Sequence, residues 1–159
     1  MFTETTFCPM THVLLPSNFQ EDSFASLVEL TETFSGLPLK VVLFHALEIP
    51  TSITELLMLP REGGWEELAP KGFAQKCQRL VQELGQIQEL THTVFYGNTQ
   101  KAFTNFLKAH RIDFMAVPKG FCFQALSTRS QNPLPFLEKA VLPLVTISHG
   151  EPQLAQAFA

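Results

Sequence analysis

Leu39-Lys40-Val41-Val42-Leu43-Phe44-His45-Ala46-Leu47 is the stretch that decides the fold. From Val41 to Phe44 every position is apolar. A strand with one face in water alternates apolar and polar residues, because successive side chains point to opposite faces. A run without alternation reads as a strand covered on both sides, the condition of a central strand in a parallel sheet.

The segments on either side fit that sheet. Upstream, His12 to Leu15 is a short apolar strand that ends at Pro16. Ser17 and Asn18 follow, with Asn18 as N-cap and Glu21 three residues on in a capping-box pattern. Phe24, Leu27, Val28, Thr31 and Phe34 then recur at helical spacing, and Gly36 supplies the left-handed stop. Downstream, residues 48–64 are irregular and read as an insertion or lid. Ile49-Pro50-Thr51-Ser52 caps a short helix through Leu57, and Pro60 and Gly63-Gly64 break it. A helix is predicted from Pro70 to Leu84, with Phe73, Cys77, Leu80, Val81 and Leu84 on one stripe.

Leu90 to Tyr96 reads as the third strand. Gly97-Asn98-Thr99 turns into a helix whose inner face is Ala102, Phe103, Phe106, Leu107 and His110. Phe114 to Val117 is the fourth strand, stopped by Pro118. A long loop, Phe121 to Asn132, leads to a helix over Leu134 to Val141, with Pro133 or Pro135 in its first turn. Pro143 introduces the last strand, Leu144 to Ile147. The alternation of strand and helix implies right-handed crossovers and a doubly wound α/β sheet. The whole chain, residues 1–159, reads as one domain with a core over 11–148 and a tail over 149–159.

Composition agrees with a packed globule. Of 159 residues, 45% are hydrophobic and 16% charged, too apolar for a disordered chain. Phe occurs 15 times, and rings without a polar handle belong mostly in cores. A net charge of −4 without a Lys/Arg cluster argues against a nucleic-acid partner. The longest apolar runs are far too short to span a bilayer. Met1 to Met10 lacks the basic-then-apolar pattern of a secretory signal, so the expected compartment is the cytoplasm. Cys8, Cys77 and Cys122 form no CxxC pair. Cys77 lies on a helix stripe and Cys122 follows a loop glycine.

Ligands of open α/β sheets sit outside the carboxyl ends of the strands, where helix N-termini converge. The residues that follow the strands are therefore the candidate ligand-binding set: Ser17, Asn18, Glu48, Gly97, Asn98, Lys119 and Gly120. Ser148 and His149 follow the last strand. Capping alone accounts for Ser17 and Asn18 in most proteins, and a lone lysine such as Lys119 is most often a solvated surface charge. Asp113 precedes its strand and belongs to the opposite edge, so no carboxylate pair is available for hydrolysis. His45, inside an apolar strand, reads as a packed, hydrogen-bonded histidine rather than a base. His12, His92, His110 and His149 show no HxxxH or HxH spacing, and no metal is expected. GxSxG, P-loop and GxGxxG patterns are absent.

His12-Val13-Leu14-Leu15-Pro16-Ser17-Asn18-Phe19 followed by an amphipathic helix resembles the opening of universal stress proteins, the UspA-like family. Leu43-Phe44-His45-Ala46-Leu47-Glu48 resembles the end of that family's second strand. Gly97 with its helix, then Ile112-Asp113-Phe114-Met115-Ala116-Val117, is similar to a later segment. Val141-Leu142-Pro143-Leu144-Val145-Thr146-Ile147 is similar to its close. The likeness spans most of residues 11–148. It implies an adenine nucleotide alpha hydrolase-like three-layer sandwich, with five parallel strands in the order 3-2-1-4-5. It also implies homodimers paired through the last strand, and ATP in some members. In those binders an Asp after the first strand contacts the nucleoside; Asn18 stands at the matching position here. The binders also carry Gly-x2-Gly-x9-Gly-Ser/Thr after the fourth strand. Gly120 matches the first glycine, but Phe123 replaces the second, and Asn132-Pro133-Leu134-Pro135 cannot supply a row of amide donors.

The expected function is thus a non-catalytic, dimeric stress-protein-like domain that binds a ligand or a protein partner, with no cofactor. The alternative is an ATP- or AMP-binding or hydrolysing domain with a remodelled phosphate loop. A third reading, a small-molecule enzyme using Glu48 or His45, has less behind it.

Overall fold

The computed structural model describes residues 10–20, 22–50, 52–58 and 65–148. Cys8, Glu21, Pro60, Gly63-Gly64 and the tail lie outside the described residues.

Five parallel strands form one sheet in the order β3-β2-β1-β4-β5. They are β1 (Thr11–Pro16), β2 (Leu39–Leu47), β3 (Ile87–Tyr96), β4 (Phe114–Pro118) and β5 (Leu144–Ile147). The helices are α1 (Asp22–Thr33), α2 (Ile53–Leu57), α3 (Phe73–Leu84), α4 (Gln100–Ala109) and α5 (Leu134–Lys139), with a short 3-10 turn at Trp65–Glu67. Among the described residues no helix is long and apolar enough to cross a membrane.

The unbroken apolar run of β2 has the reason its sequence suggested. Val41 and Leu43 enter one core with Val13, Leu15 and Ala116, against Leu27, Leu30, Phe73 and Cys77 of α1 and α3. Val42 and Phe44 enter a second core with Leu14 and Met115, against Phe103 and Leu107 of α4 and Leu137 of α5. The register Val13↔Val41 and Leu14↔Val42 aligns these alternating sets across strands. Full burial of each such side chain contributes about 1.5–3 kcal/mol, so both faces of β2 hold the domain together. The second core is dominated by phenylalanine: Phe95 meets Phe103 at 5.2 Å and Phe136 at 5.4 Å, both edge to face.

Element boundaries depart from the sequence expectations at points with local causes. α1 begins at Asp22 rather than directly after Asn18. Ser17 Oγ accepts the amide of Phe19 at 2.9 Å and Asn18 Oδ1 accepts that of Gln20 at 3.1 Å. Phe19 sits at φ 57°, in the left-handed region. Two successive side-chain turns thus occupy the place expected for a helix cap. α3 starts at Phe73, after Pro70, because Gly72 at φ 87° is not helical. α5 stops at Lys139, since Ala140 is already extended (ψ 154°). β3 starts earlier, at Ile87, across a register shift between Leu39 and Lys40. The Lys40–Glu89 ion pair at 3.1 Å lies on that added stretch.

Candidate functional site

At the carboxyl ends of β1 and β4 the candidate residues separate into two groups. Ser17, Asn18, Lys119 and Gly120 line one cavity of about 300 Å³, together with Ser23 and Ser26 of α1 and with Cys122. Ser17 is held there by its amide, which donates to the Phe44 carbonyl at 2.8 Å, and by a 2.6 Å hydrogen bond between its hydroxyl and that of Ser23. The amide of Lys119 donates to the Ile147 carbonyl at 2.7 Å, and Gly120 turns the chain at φ 75°.

Glu48, Gly97 and Asn98 lie apart from that cavity and serve the backbone. The exposed Glu48 donates its amide to the Arg129 carbonyl at 2.9 Å. Asn98 accepts the amide of Ile49 at 2.9 Å and so anchors the chain leaving β2. Gly97 is glycine for steric reasons: a Cβ there would stand 2.5 Å from the Phe95 ring.

The β4–α5 loop is folded back over the sheet. Ser130 forms an isolated antiparallel bridge with Leu47 at the end of β2, and Gln131 donates its amide to the Ala46 carbonyl at 3.0 Å. Ser130 Oγ accepts the amides of Leu126 and Ser127 at 2.9 and 3.0 Å. The same oxygen is 2.8 Å from His45 Nε2, and His45 Nδ1 is 3.2 Å from the Ser17 carbonyl oxygen. A carbonyl can only accept, so the proton is on Nδ1 and the Ser130 hydroxyl donates to Nε2. Burial lowers the His45 pKa below its ordinary value, while the Ser17 carbonyl pulls the other way. This neutral histidine is the packed residue its sequence context indicates, with Phe123 stacked on it at 6.4 Å. The crevice beneath, between Pro16, Phe44, His45 and Phe123, retains only about 10 Å³. An ion pair between Arg129 and Glu55 ties the loop to α2 as well.

Sequence reasoning did not single out Ser130 or Gln124, and it marked Phe123 only as a replaced glycine. Gln124 Oε1 accepts from Asn18 Nδ2 at 2.7 Å and closes the edge of the 300 Å³ cavity. One signal was available: Ser127 and Ser130, three apart in a polar loop, are residue types that gather local amides. The long-range partner, His45, has no local signature. Asp113 sits at the amino edge of the sheet, where its carboxylate accepts the amide of His12 at 2.8 Å. Among the described residues no group of three or more His, Cys, Asp or Glu side chains converges to hold a metal.

No protein-family model and no curated protein matches this sequence. Solved structures do resemble it. The hypothetical protein PH0823 superposes with a TM-score of 0.54 at 16% identity, over 89% of this chain and 97% of that one. The universal stress protein UspA from Lactobacillus plantarum gives 0.52 at 11% identity, over 89% and 99%. A universal stress protein solved in complex with cAMP gives 0.50 at 12% identity, over 86% and 95%. With its strand order β3-β2-β1-β4-β5 and its superposition on a universal stress protein over 89% of its length, the chain carries the universal-stress-protein fold.

Proposed function

We propose that this chain is a non-catalytic, dimeric universal-stress-protein-like domain that acts in stress response by binding a small ligand or a partner, and not by holding ATP on a glycine loop. The observation that carries the reading is the employment of the β4–α5 amides. Those of Phe121, Leu126, Ser127, Arg129, Ser130 and Gln131 all donate within the protein. Residue 133 is a proline without an N–H. A triphosphate needs a row of free amides that it can approach closely, and five of the six amides from Leu126 to Gln131 are already engaged. Beside Ser17, Asn18, Lys119 and Gly120 a cavity of about 300 Å³ stays open, at the small end of the range for ligand pockets.

Calorimetric titration with ATP tests the reading. No saturable heat is expected, and binding in the micromolar range overturns it. A second reading, a nucleotide monophosphate in the same cavity, is favoured by the neighbour solved with cAMP. It predicts that AMP binds where ATP does not, and that Lys119→Ala weakens AMP.

Dimerisation is supported by β5, a sheet edge whose four residues Leu-Val-Thr-Ile carry no charge, with Val141 beside it 92% exposed. Apolar edges of this kind are normally paired or covered. Light scattering should give twice the mass of the chain; the monomer mass sinks the proposal.

A further inference from the structure

We propose a second ligand site, between α1, α3 and the loop segment Gln124–Leu126, that takes a planar aromatic anion such as an aryl carboxylate, sulfonate or phosphate. A cavity of about 500 Å³ opens there, larger than the one beside Lys119 and well within the volume range of small-molecule sites. Its apolar wall is a flat pair of rings: Phe24 and Phe73 stack at 5.6 Å with 20° between their planes. Phe19 backs this wall edge-on to Phe73 at 5.9 Å. Stacked and edge-on rings of this kind receive another flat ring better than an irregular aliphatic body.

The rim supplies the charge. Lys71 and Lys76 line the cavity, both exposed, and neither is in an ion pair with another described residue. No acidic residue among the described ones lines it. In a chain of net charge −4, two lysines facing a hollow without an acidic residue among its described lining make a local field that selects anions. Gln124 borders the same space, and its Oε1 is committed to Asn18, which leaves the Nε2 donors for a ligand oxygen. The aromatic wall and cationic rim together specify a flat body with one anionic end. The site is separate from the strand-end cavity and does not depend on what binds there; Gln124 is the wall between the two.

The test uses 1-naphthoate and its uncharged analogue 1-naphthalenemethanol, titrated into the full chain and followed by backbone amide NMR shifts. Trp65, the one tryptophan of the sequence, packs on Phe19 at 6.2 Å and gives an independent fluorescence readout. Naphthoate is expected to bind at least tenfold more tightly than the alcohol, with shifts centred on Phe73, Lys76 and Leu126. The doubly exchanged variant Lys71→Glu, Lys76→Glu changes only exposed positions of the α3 end and should erase that tenfold preference. Phe24→Leu, which keeps bulk but removes the stack, should weaken both probes alike. Equal affinity for the two probes, shifts centred on Lys119 and Cys122, or no saturable binding overturns the proposal.

Discussion

His45 Nε2 lies 2.8 Å from Ser130 Oγ, a side-chain contact by which a central strand helps hold the loop that crosses the sheet end. The same hydroxyl oxygen takes the Leu126 and Ser127 amides, so it fulfils three obligations at once. Ser130→Ala removes one donor and one double acceptor and strands the imidazole nitrogen. The expected loss is about 1–3 kcal/mol, the desolvation cost of leaving such groups unpaired. Urea denaturation measures it. Hydrogen exchange at Leu126 and Ser127 should accelerate in the same variant; exchange at the native rate would show that the hydroxyl does not hold the loop.

Acid should weaken the fold through the same contact. Burial lowers the pKa of His45, His92 and His110 below 6.5. For His92 the neighbouring Glu66 partly opposes the effect, and for His110 Lys40 reinforces it. A base whose folded pKa is depressed binds protons more readily when unfolded, so stability rises with pH between the folded and unfolded pKa values. These histidines contribute fully above about pH 6.5, and their contribution falls as pH drops through the folded values. A protonated His45 would also present Nε2–H to an oxygen already receiving two amides. Urea midpoints measured from about pH 7.5 to about pH 5, the range where histidine titrates, should fall steadily, and His45→Gln should flatten the slope. A midpoint independent of pH in that interval contradicts the assignment of neutral buried imidazoles.

Much of this architecture was legible because it is local or periodic. Val41 to Phe44 announced a strand buried on both faces, and Phe73, Cys77 and Leu80 announced a helix stripe. Both patterns survive in the packing because burial imposes the period. The start of α1 was misplaced since Asn18 has two competing uses, cap and turn, and only the left-handed Phe19 decides between them. The sheet-end positions divided for a similar reason. Position after a strand says that a residue is near the crevice, but not whether its side chain is consumed by the backbone. Asn98 and Gly97 are consumed; Ser17 and Asn18 also line a cavity. The Ser130–His45 contact joins residues 85 apart, and no spacing rule reaches that far.

Gly97 offers a steric prediction. A methyl group placed there would stand 2.5 and 2.8 Å from Phe95 ring carbons and 3.0 Å from the Ala102 methyl. The Phe95 ring has little freedom to yield, being packed between Phe103, Phe106 and Phe136. Gly97→Ala should therefore cost about 1–3 kcal/mol, the usual range for overpacking a tight core. Phe95→Leu alone loses ring packing. In the double variant the two losses should fall short of their sum, because the smaller side chain makes room for the methyl. Simple additivity in denaturation measurements would mean that the two positions do not compete for the same space.

Cysteine chemistry separates the interior from the candidate cavity. Cys77 is fully buried between α3 and the sheet, and burial pushes its thiol up to about 12. Thiolate, not thiol, attacks disulfide reagents, so Cys77 should stay unlabelled until the domain unfolds. Cys122 is exposed and lines the cavity beside Lys119. In a Cys8→Ser background, an aromatic disulfide reagent should label one thiol in native protein and two in urea. Cys122→Ser should abolish the native reaction, whereas Cys77→Ser should leave it unchanged. The same thiol then reports occupancy: a ligand seated between Ser17 and Lys119 must shield Cys122, since all three border one hollow of about 300 Å³. If AMP slows that reaction and ATP does not, the cavity admits a nucleotide but not its triphosphate. If both leave it untouched, nucleotides are not what this hollow holds.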